Sequence, residues 1–302
     1  MKAKTKFTGV MPALVTPFKE DGKTVNTRVA RELIDLHVKE GAAGFYVLGG
    51  TGEGLALSRE TREEMCETAI HAIGGRLPAI VHTAAMNLDE TIALSRHAEK
   101  AGAAAISAVP PLFFFYDDDD VFHYYKTIAE SVSIPLIIYY HPSARACMTP
   151  KLIARIFEID NVTGVKWSSN DFFGLNRLKD MTNGEMNIIN GPDELLAMGL
   201  LAGADAGIGS TYNVMLPEFV AIYNAVRAGR VEEAHARQSK VNRVIGAMLG
   251  HEVIPAVKYA LRMRGYEVGE ATYPMRQMPV GSAAALALEK DLRAAGFPFE
   301  TV

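Results

Sequence analysis

The sequence predicts an α/β fold: a (β/α)8 TIM barrel carrying a helical extension at its C-terminal end. Three observations predict it. Eight short apolar runs recur along the chain, a helix-length amphipathic segment follows each, and glycine-containing turns lead from helix straight into the next run. Alternating strands and helices are the pattern of repeated βα units on a parallel sheet, and eight units within about 210 residues suit a closed barrel better than an open doubly wound sheet. Closure also removes edge strands.

The runs are Met11 to Phe18, Ala43 to Gly49, Leu77 to Thr83, Ala104 to Val109, Pro135 to His141, Val162 to Ser168, Asn187 to Asn190, and Ala206 to Ser210. Helix signals fill the intervals. Val29, Leu33 and Leu36 recur at i, i+4, i+7 with Gly41 beyond as a C′ residue, and Asn87 with Glu90 resembles a capping box. The turns EGAAGFYV, KAGAAAISAV and LAGADAGIGS supply glycine where tight αβ loops need φ > 0. From about Leu216 the alternation stops and helical patterning takes over. Val241, Val244, Ile245 and Met248 form one stripe, and a last helix is expected around Ala283 to Ala295. Residues 1–215 read as the barrel and 216–302 as an extension of the same domain, since no low-complexity linker separates them.

Composition bounds the function. The chain has 302 residues, 49% hydrophobic and 22% charged, enough apolar material for a large core. A formal charge of −4 offers no bulk attraction to nucleic acid or anionic lipid. Cys66 and Cys147 form no disulfide-like framework, the N-terminus has no signal-length apolar core, and no 18-residue apolar run follows, so a cytoplasmic protein is expected. No GxxxxGK[ST], GxGxxG or HExxH pattern occurs, so neither a nucleotide cofactor nor a metal is expected. The run Asp117 to Asp120 reads as a solvated helix N-terminus, with metal binding as the weaker alternative.

Active sites of such barrels lie at the carboxyl ends of the strands. Polar residues there deserve a chemical reading first. Lys166, in GVKWSSN, places an ammonium inside an apolar strand; it either finds a salt-bridge partner or sheds its proton and becomes a nucleophilic amine fit for Schiff-base chemistry. In PLIIYYH, alternation puts Ile137, Tyr139 and His141 on one face, which makes Tyr139 either a packed core tyrosine or a phenol that passes protons to chemistry at Lys166. Gly49 to Gly54 is a simple βα turn or a backbone cradle for a small carboxylate. Asp193 and Glu194, where the seventh helix should begin, either complement its dipole or accept hydrogen bonds from substrate hydroxyls.

Taken together, GGTGE, the tyrosine of IIYYHP, GVKWSSN and NGPDELLAMGLLAGADAGIGSTYNVM resemble the N-acetylneuraminate lyase and dihydrodipicolinate synthase family of class I pyruvate aldolases. LLAGADAGIGSTYN looks especially like the lyase branch. The resemblance implies a pyruvate Schiff base, no cofactor, and a homotetramer arranged as a dimer of dimers. It makes Lys166 the Schiff-base lysine and Tyr139 the proton-shuttling phenol, with Gly50 and Thr51 lining the pyruvate carboxylate site. It sets Ser168, Gly191, Asp193, Glu194 and Ser210 along the hydroxylated tail of a sugar acid. The chain departs from the family at Gly50, where Ser or Thr is usual, and at Phe113, where many members carry a tyrosine reaching across a dimer interface. The arginine expected in the synthase branch is replaced by Ala144, with Arg145 one position further on. The activity implied is cleavage of a 2-oxo sugar acid such as N-acetylneuraminate. The alternatives are synthase-like condensation, another 2-oxo-3-deoxy acid aldolase or dehydratase, and a non-catalytic sugar-acid-binding barrel.

Overall fold

The computed structural model describes residues 4–141 and 148–298. Its centre is an eight-stranded parallel sheet: β1 (Gly9–Pro12), β2 (Phe45–Val47), β3 (Ala79–His82), β4 (Ala105–Ala108), β5 (Leu136–Tyr140), β6 (Val162–Trp167), β7 (Asn187–Asn190) and β8 (Ala206–Gly209). Neighbours in sequence are neighbours in space. β1 pairs with β8 from Gly9↔Ala206 to Pro12↔Gly209 and meets β2 through the bridge Ala13↔Tyr46, which shuts the ring. The fold is the TIM barrel that the alternation predicts.

The surrounding helices are α1 (Thr27–Lys39), α2 (Arg59–Ile73), α3 (Leu88–Ala101), α4 (Asp118–Glu130), α5 (Pro150–Phe157), α6 (Phe172–Met181), α7 (Leu196–Leu201) and α8 (Tyr212–Arg227). Three more follow: α9 (Val231–Leu249), α10 (Val253–Met263) and α11 (Ala283–Ala294). α8 runs through residues 215 and 216, and is kinked at Met215 ahead of Pro217. Residues of the strands, the ring helices and the C-terminal helices share one hydrophobic core.

Local chemistry explains the boundaries. Asp117 caps α4 in a reciprocal capping box with Asp120, so the acidic run is a helix start whose side chains face solvent. At Asn87 only half of the expected box forms: its side chain accepts from Glu90 N at 2.7 Å. Gly41 follows α1 at φ +94°, the left-handed geometry that its C′ position requires. The buried face of α1 is Val29, Ala30, Leu33, Ile34 and His37, while Leu36 sits half-buried off that stripe. The expected stripe on α9 is buried throughout. The first apolar run is longer than its strand. After Pro12 the chain leaves the ladder, and Leu14, Val15 and Phe18 are buried instead beneath neighbouring loops, with Phe18 N bonded to Val268 O at 3.0 Å. Hydrophobic length there reflects cover over the barrel mouth. No single helix among the described residues is long and apolar enough to cross a membrane.

Candidate active site

β5 and β6 keep one register from Ile137↔Gly164 to Tyr140↔Trp167, beyond a shift at Leu136, so Tyr139 and Lys166 are lateral partners. In a parallel ladder such partners point the same way, here toward the barrel axis. Lys166 Nζ lies 3.9 Å from the centroid of the Tyr139 ring and 5.3 Å from that of Tyr46. Its hydrogen-bond partner is Ser168 Oγ at 3.4 Å, a long contact, and no carboxylate forms an ion pair with it among the described residues. An amine at 6% exposure, walled by aromatic faces and free of a carboxylate, is arranged for nucleophilic use.

The remaining expected residues converge on the same mouth. Thr51 Oγ1 and Ser210 Oγ are 2.7 Å apart, which joins the turn after β2 to the end of β8. Gly50 faces Tyr139: a Cβ built on it would lie 3.8 Å from the phenol oxygen and touch nothing else. Gly191 is glycine for a steric reason, since a Cβ there would stand 2.1 Å from Ser168 Oγ. Asp193, in a single 3-10 turn over Asp193–Leu195, accepts from Ser210 N at 3.2 Å and from both Thr211 N and Thr211 Oγ1 at 2.6 Å. Its carboxylate thus organises the β8 turn from within. Glu194 is half-buried beside it, its carbonyl held by Asn242 Nδ2 at 3.0 Å. Ala144, Arg145 and Cys147 lie outside the described residues.

Several contributors escaped the sequence reading. Tyr46 of β2 donates to Ser107 Oγ at 3.1 Å and meets the Tyr139 ring edge-on at 5.9 Å. His82 of β3 makes a second edge-on contact with Tyr139 at 5.8 Å and takes Val109 N on Nε2 at 3.4 Å. Together they fix the plane of the phenol. Both residues lie inside apolar runs, and His82 near the end of one was the available signal. Gln238 and Asn242 of α9 also matter, because Gln238 Nε2 donates to Asp193 O at 3.1 Å. The C-terminal helices thereby brace the turn that presents Asp193 and Glu194.

Burial shapes the electrostatics. It pushes the Asp193 carboxyl up to about 6, opposed by the Thr211 hydrogen bonds and by the charge of Lys166, and assisted by Glu194. It pulls the His82 imidazole down to about 3, with Arg62 and Lys166 adding to the fall, so this ring is neutral near pH 7. Burial raises the Tyr46 phenol well above its ordinary value. Among the described residues no group of three or more His, Cys, Asp and Glu side chains converges as metal ligands.

The comparison with known proteins gives this constellation a lineage. Residues 6–295 match the Dihydrodipicolinate synthetase family. The chain belongs to that family. It is 34% identical to the N-acetylneuraminate lyase of Rhizobium meliloti (strain 1021) over 281 residues, covering 93% of each chain. Its fold resembles the Clostridium difficile protein CdNal, solved in complex with mannosamine, with a TM-score of 0.91 at 29% identity, covering 96% of this chain and 100% of the other. It resembles also the chloride-inhibited dihydrodipicolinate synthase of Acinetobacter baumannii complexed with pyruvate, at a TM-score of 0.90 and 27% identity, covering 96% and 99%. Membership makes this family protein a class I, pyruvate-dependent carbon–carbon lyase similar to the N-acetylneuraminate lyases.

Proposed function

We propose that the protein cleaves a 2-oxo sugar acid, of which N-acetylneuraminate is the leading candidate, into pyruvate and an aldehyde sugar. The observation that carries this reading is the in-register pair Lys166 and Tyr139, with the amine 3.9 Å from the centre of the phenol ring. Lys166 Nζ attacks the C2 carbonyl of the open-chain acid, and loss of water from the carbinolamine leaves an iminium. The Tyr139 phenol gives its proton to the departing carbinolamine hydroxyl, the oxygen left behind takes the proton of the C4 hydroxyl, the C3–C4 bond breaks, and its electron pair passes into the iminium as an enamine. Protonation at C3 and hydrolysis then release pyruvate and restore the amine.

Thr51, beside Gly50 and bonded to Ser210, lies where backbone amides would receive the 2-oxo acid's carboxylate. Ser168, Gly191, Glu194 and Ser210 line the mouth and offer partners for a polyhydroxylated tail, while Asp193, its carboxylate engaged by Ser210 and Thr211, holds that wall in place. Their number favours a sugar acid over a short aldehyde. The condensing reading, pyruvate with an aldehyde, is supported by the structural likeness to the pyruvate-bound synthase. We infer a homotetramer, and the exposed Phe113, Phe114 and Phe115 on the rim, at 66%, 61% and 82% exposure, support burial against another copy. A cytoplasmic setting suits the buried free thiol of Cys66.

The test is reduction with borohydride in the presence of pyruvate, followed by mass mapping, and then a screen of 2-oxo sugar acids for pyruvate release. An adduct on Lys166 with turnover of a sugar acid is expected. No adduct at Lys166 refutes the mechanism, and turnover only of pyruvate with aspartate semialdehyde transfers the assignment to condensation.

A further inference from the structure

We propose that Glu53 and Lys258 are a positioning pair through which the C-terminal extension sets the shape of the carboxylate-binding loop; the inference rests on the pyruvate reading above. The loop from Leu48 to Gly54 is bracketed by two non-glycine residues in left-handed backbone geometry, Leu48 at φ +61° and Glu53 at φ +59°. Such geometry is unfavourable for a side-chain-bearing residue and persists where surrounding structure imposes it. Within the loop, Glu53 N bonds Gly50 O at 3.0 Å and Gly54 N bonds Gly49 O at 3.1 Å. The turn is so tight that a Cβ on Gly54 would stand 1.9 Å from Leu48 O.

The anchor that imposes this geometry is the Glu53 carboxylate. Its side chain is fully buried, at 0% exposure, and both its oxygens meet residues of the C-terminal extension. Oε2 accepts from Thr272 N at 2.5 Å. Lys258 Nζ, from α10, stands 2.5 Å from Oε1, an ion pair by distance, while its hydrogen bond goes to Glu270 O at 2.9 Å. Lys258 also lies over the ring of Phe18, 4.3 Å from its centroid, beneath the loop that leaves β1. Two buried opposite charges therefore tie the last residue of GGTGE to a helix outside the eightfold repeat. Nothing in the proposed chemistry uses either charge. A buried ion pair is weak support for stability in its own right, and it is well suited to fixing one arrangement among several. Here that arrangement is the one that turns Gly50 toward the Tyr139 hydroxyl and Thr51 toward Ser210.

The test compares Glu53→Gln, Lys258→Met, the double variant, and Arg264→Met, which breaks the ion pair to Glu40 (2.7 Å) away from the mouth. Each is read by melting temperature and by borohydride trapping at Lys166 across a pyruvate titration. Each single variant leaves one buried charge unpaired and melts lower; the double variant removes both charges and recovers stability. In all three the pyruvate concentration for half-maximal trapping rises about tenfold, with the trapping rate at saturation unchanged, and the double variant does not recover affinity. Arg264→Met lowers the melting temperature and leaves that concentration unchanged. Wild-type affinity in the double variant, or in every variant, overturns the inference while leaving the Schiff-base reading intact. Absence of any adduct in the wild type removes both.

Discussion

Replacing Asp193 with asparagine isolates one buried charge and makes its cost measurable. The carboxyl is fully inside the protein, and burial moves it from 3.8 to about 6 in the folded state. At about 1.4 kcal/mol per pH unit, that displacement of about 2 units makes the ionised form cost about 3 kcal/mol of folding free energy. Because the folded value is raised, the native state holds this proton more tightly than the unfolded chain does. The stabilisation is therefore fully present below pH 3.8 and is lost as pH rises through about 6. His37 and His82 act in the opposite direction over a nearby range, since burial lowers both and the unfolded chain takes up their protons first. A stability curve of the parent alone would mix these contributions, whereas the difference between parent and Asp193→Asn cancels the histidines. That difference, variant minus parent, should grow by about 2 kcal/mol between pH 4 and pH 7. Trp167, the sole tryptophan and buried against Tyr140 with ring centroids 4.7 Å apart, reports urea unfolding by fluorescence. Lost hydrogen bonds to Thr211 add a constant offset that does not vary with pH. A difference that stays flat across this range would refute the assignment of an ionisable, burial-raised carboxyl at 193.

Further outcomes follow from the same geometry. Tyr139→Phe should lower the rate of pyruvate release by about 10²–10⁴-fold, the usual worth of a positioned proton donor and acceptor, while borohydride trapping of pyruvate on Lys166 persists. Gly50→Ser fits, because the added Cβ lies 3.8 Å from the phenol oxygen with no other contact, and its hydroxyl reaches that oxygen. Stopped-flow assay should show pyruvate release up to about tenfold faster, and unchanged or slower release would show that the phenol needs no protein partner. Gly191→Ala forces a Cβ to 2.1 Å from Ser168 Oγ and displaces that hydroxyl from Lys166. A raised KM for the sugar acid with unaltered pyruvate trapping is expected in steady-state kinetics.

The barrel was legible because its rules are local and repetitive. Apolar runs, amphipathic intervals and glycine turns each follow from backbone geometry, and their order in the chain is their order around the ring. Lys166 was legible for a thermodynamic reason: an ammonium in GVKW needs an explanation wherever it occurs. What stayed hidden depends on the third dimension. Tyr46 and His82 look like ordinary members of buried strands until ring closure brings them to the edges of Tyr139. The inward role of Asp193, spent on Thr211 and Ser210, could not be separated from helix-dipole compensation, because both place an acid at the same point in the chain. Glu53 is one letter of a glycine turn, and its partner Lys258 lies 205 residues further on, at a distance in sequence that no motif spans.

The narrow join between β1 and β2 bears on how such a chain can come together. β1 docks on β8 through four paired positions but meets β2 at one bridge, flanked by the bonds Ala43 N to Val10 O and Leu14 N to Tyr46 O, each 2.9 Å, so the sheet's two ends are joined by its shortest seam. Tyr46 sits at that junction, and its ring is part of the floor under the reactive nitrogen. Chemical competence thus depends on the closed ring, and a chain whose layer is open would keep its lysine in an unfinished, wetter surround.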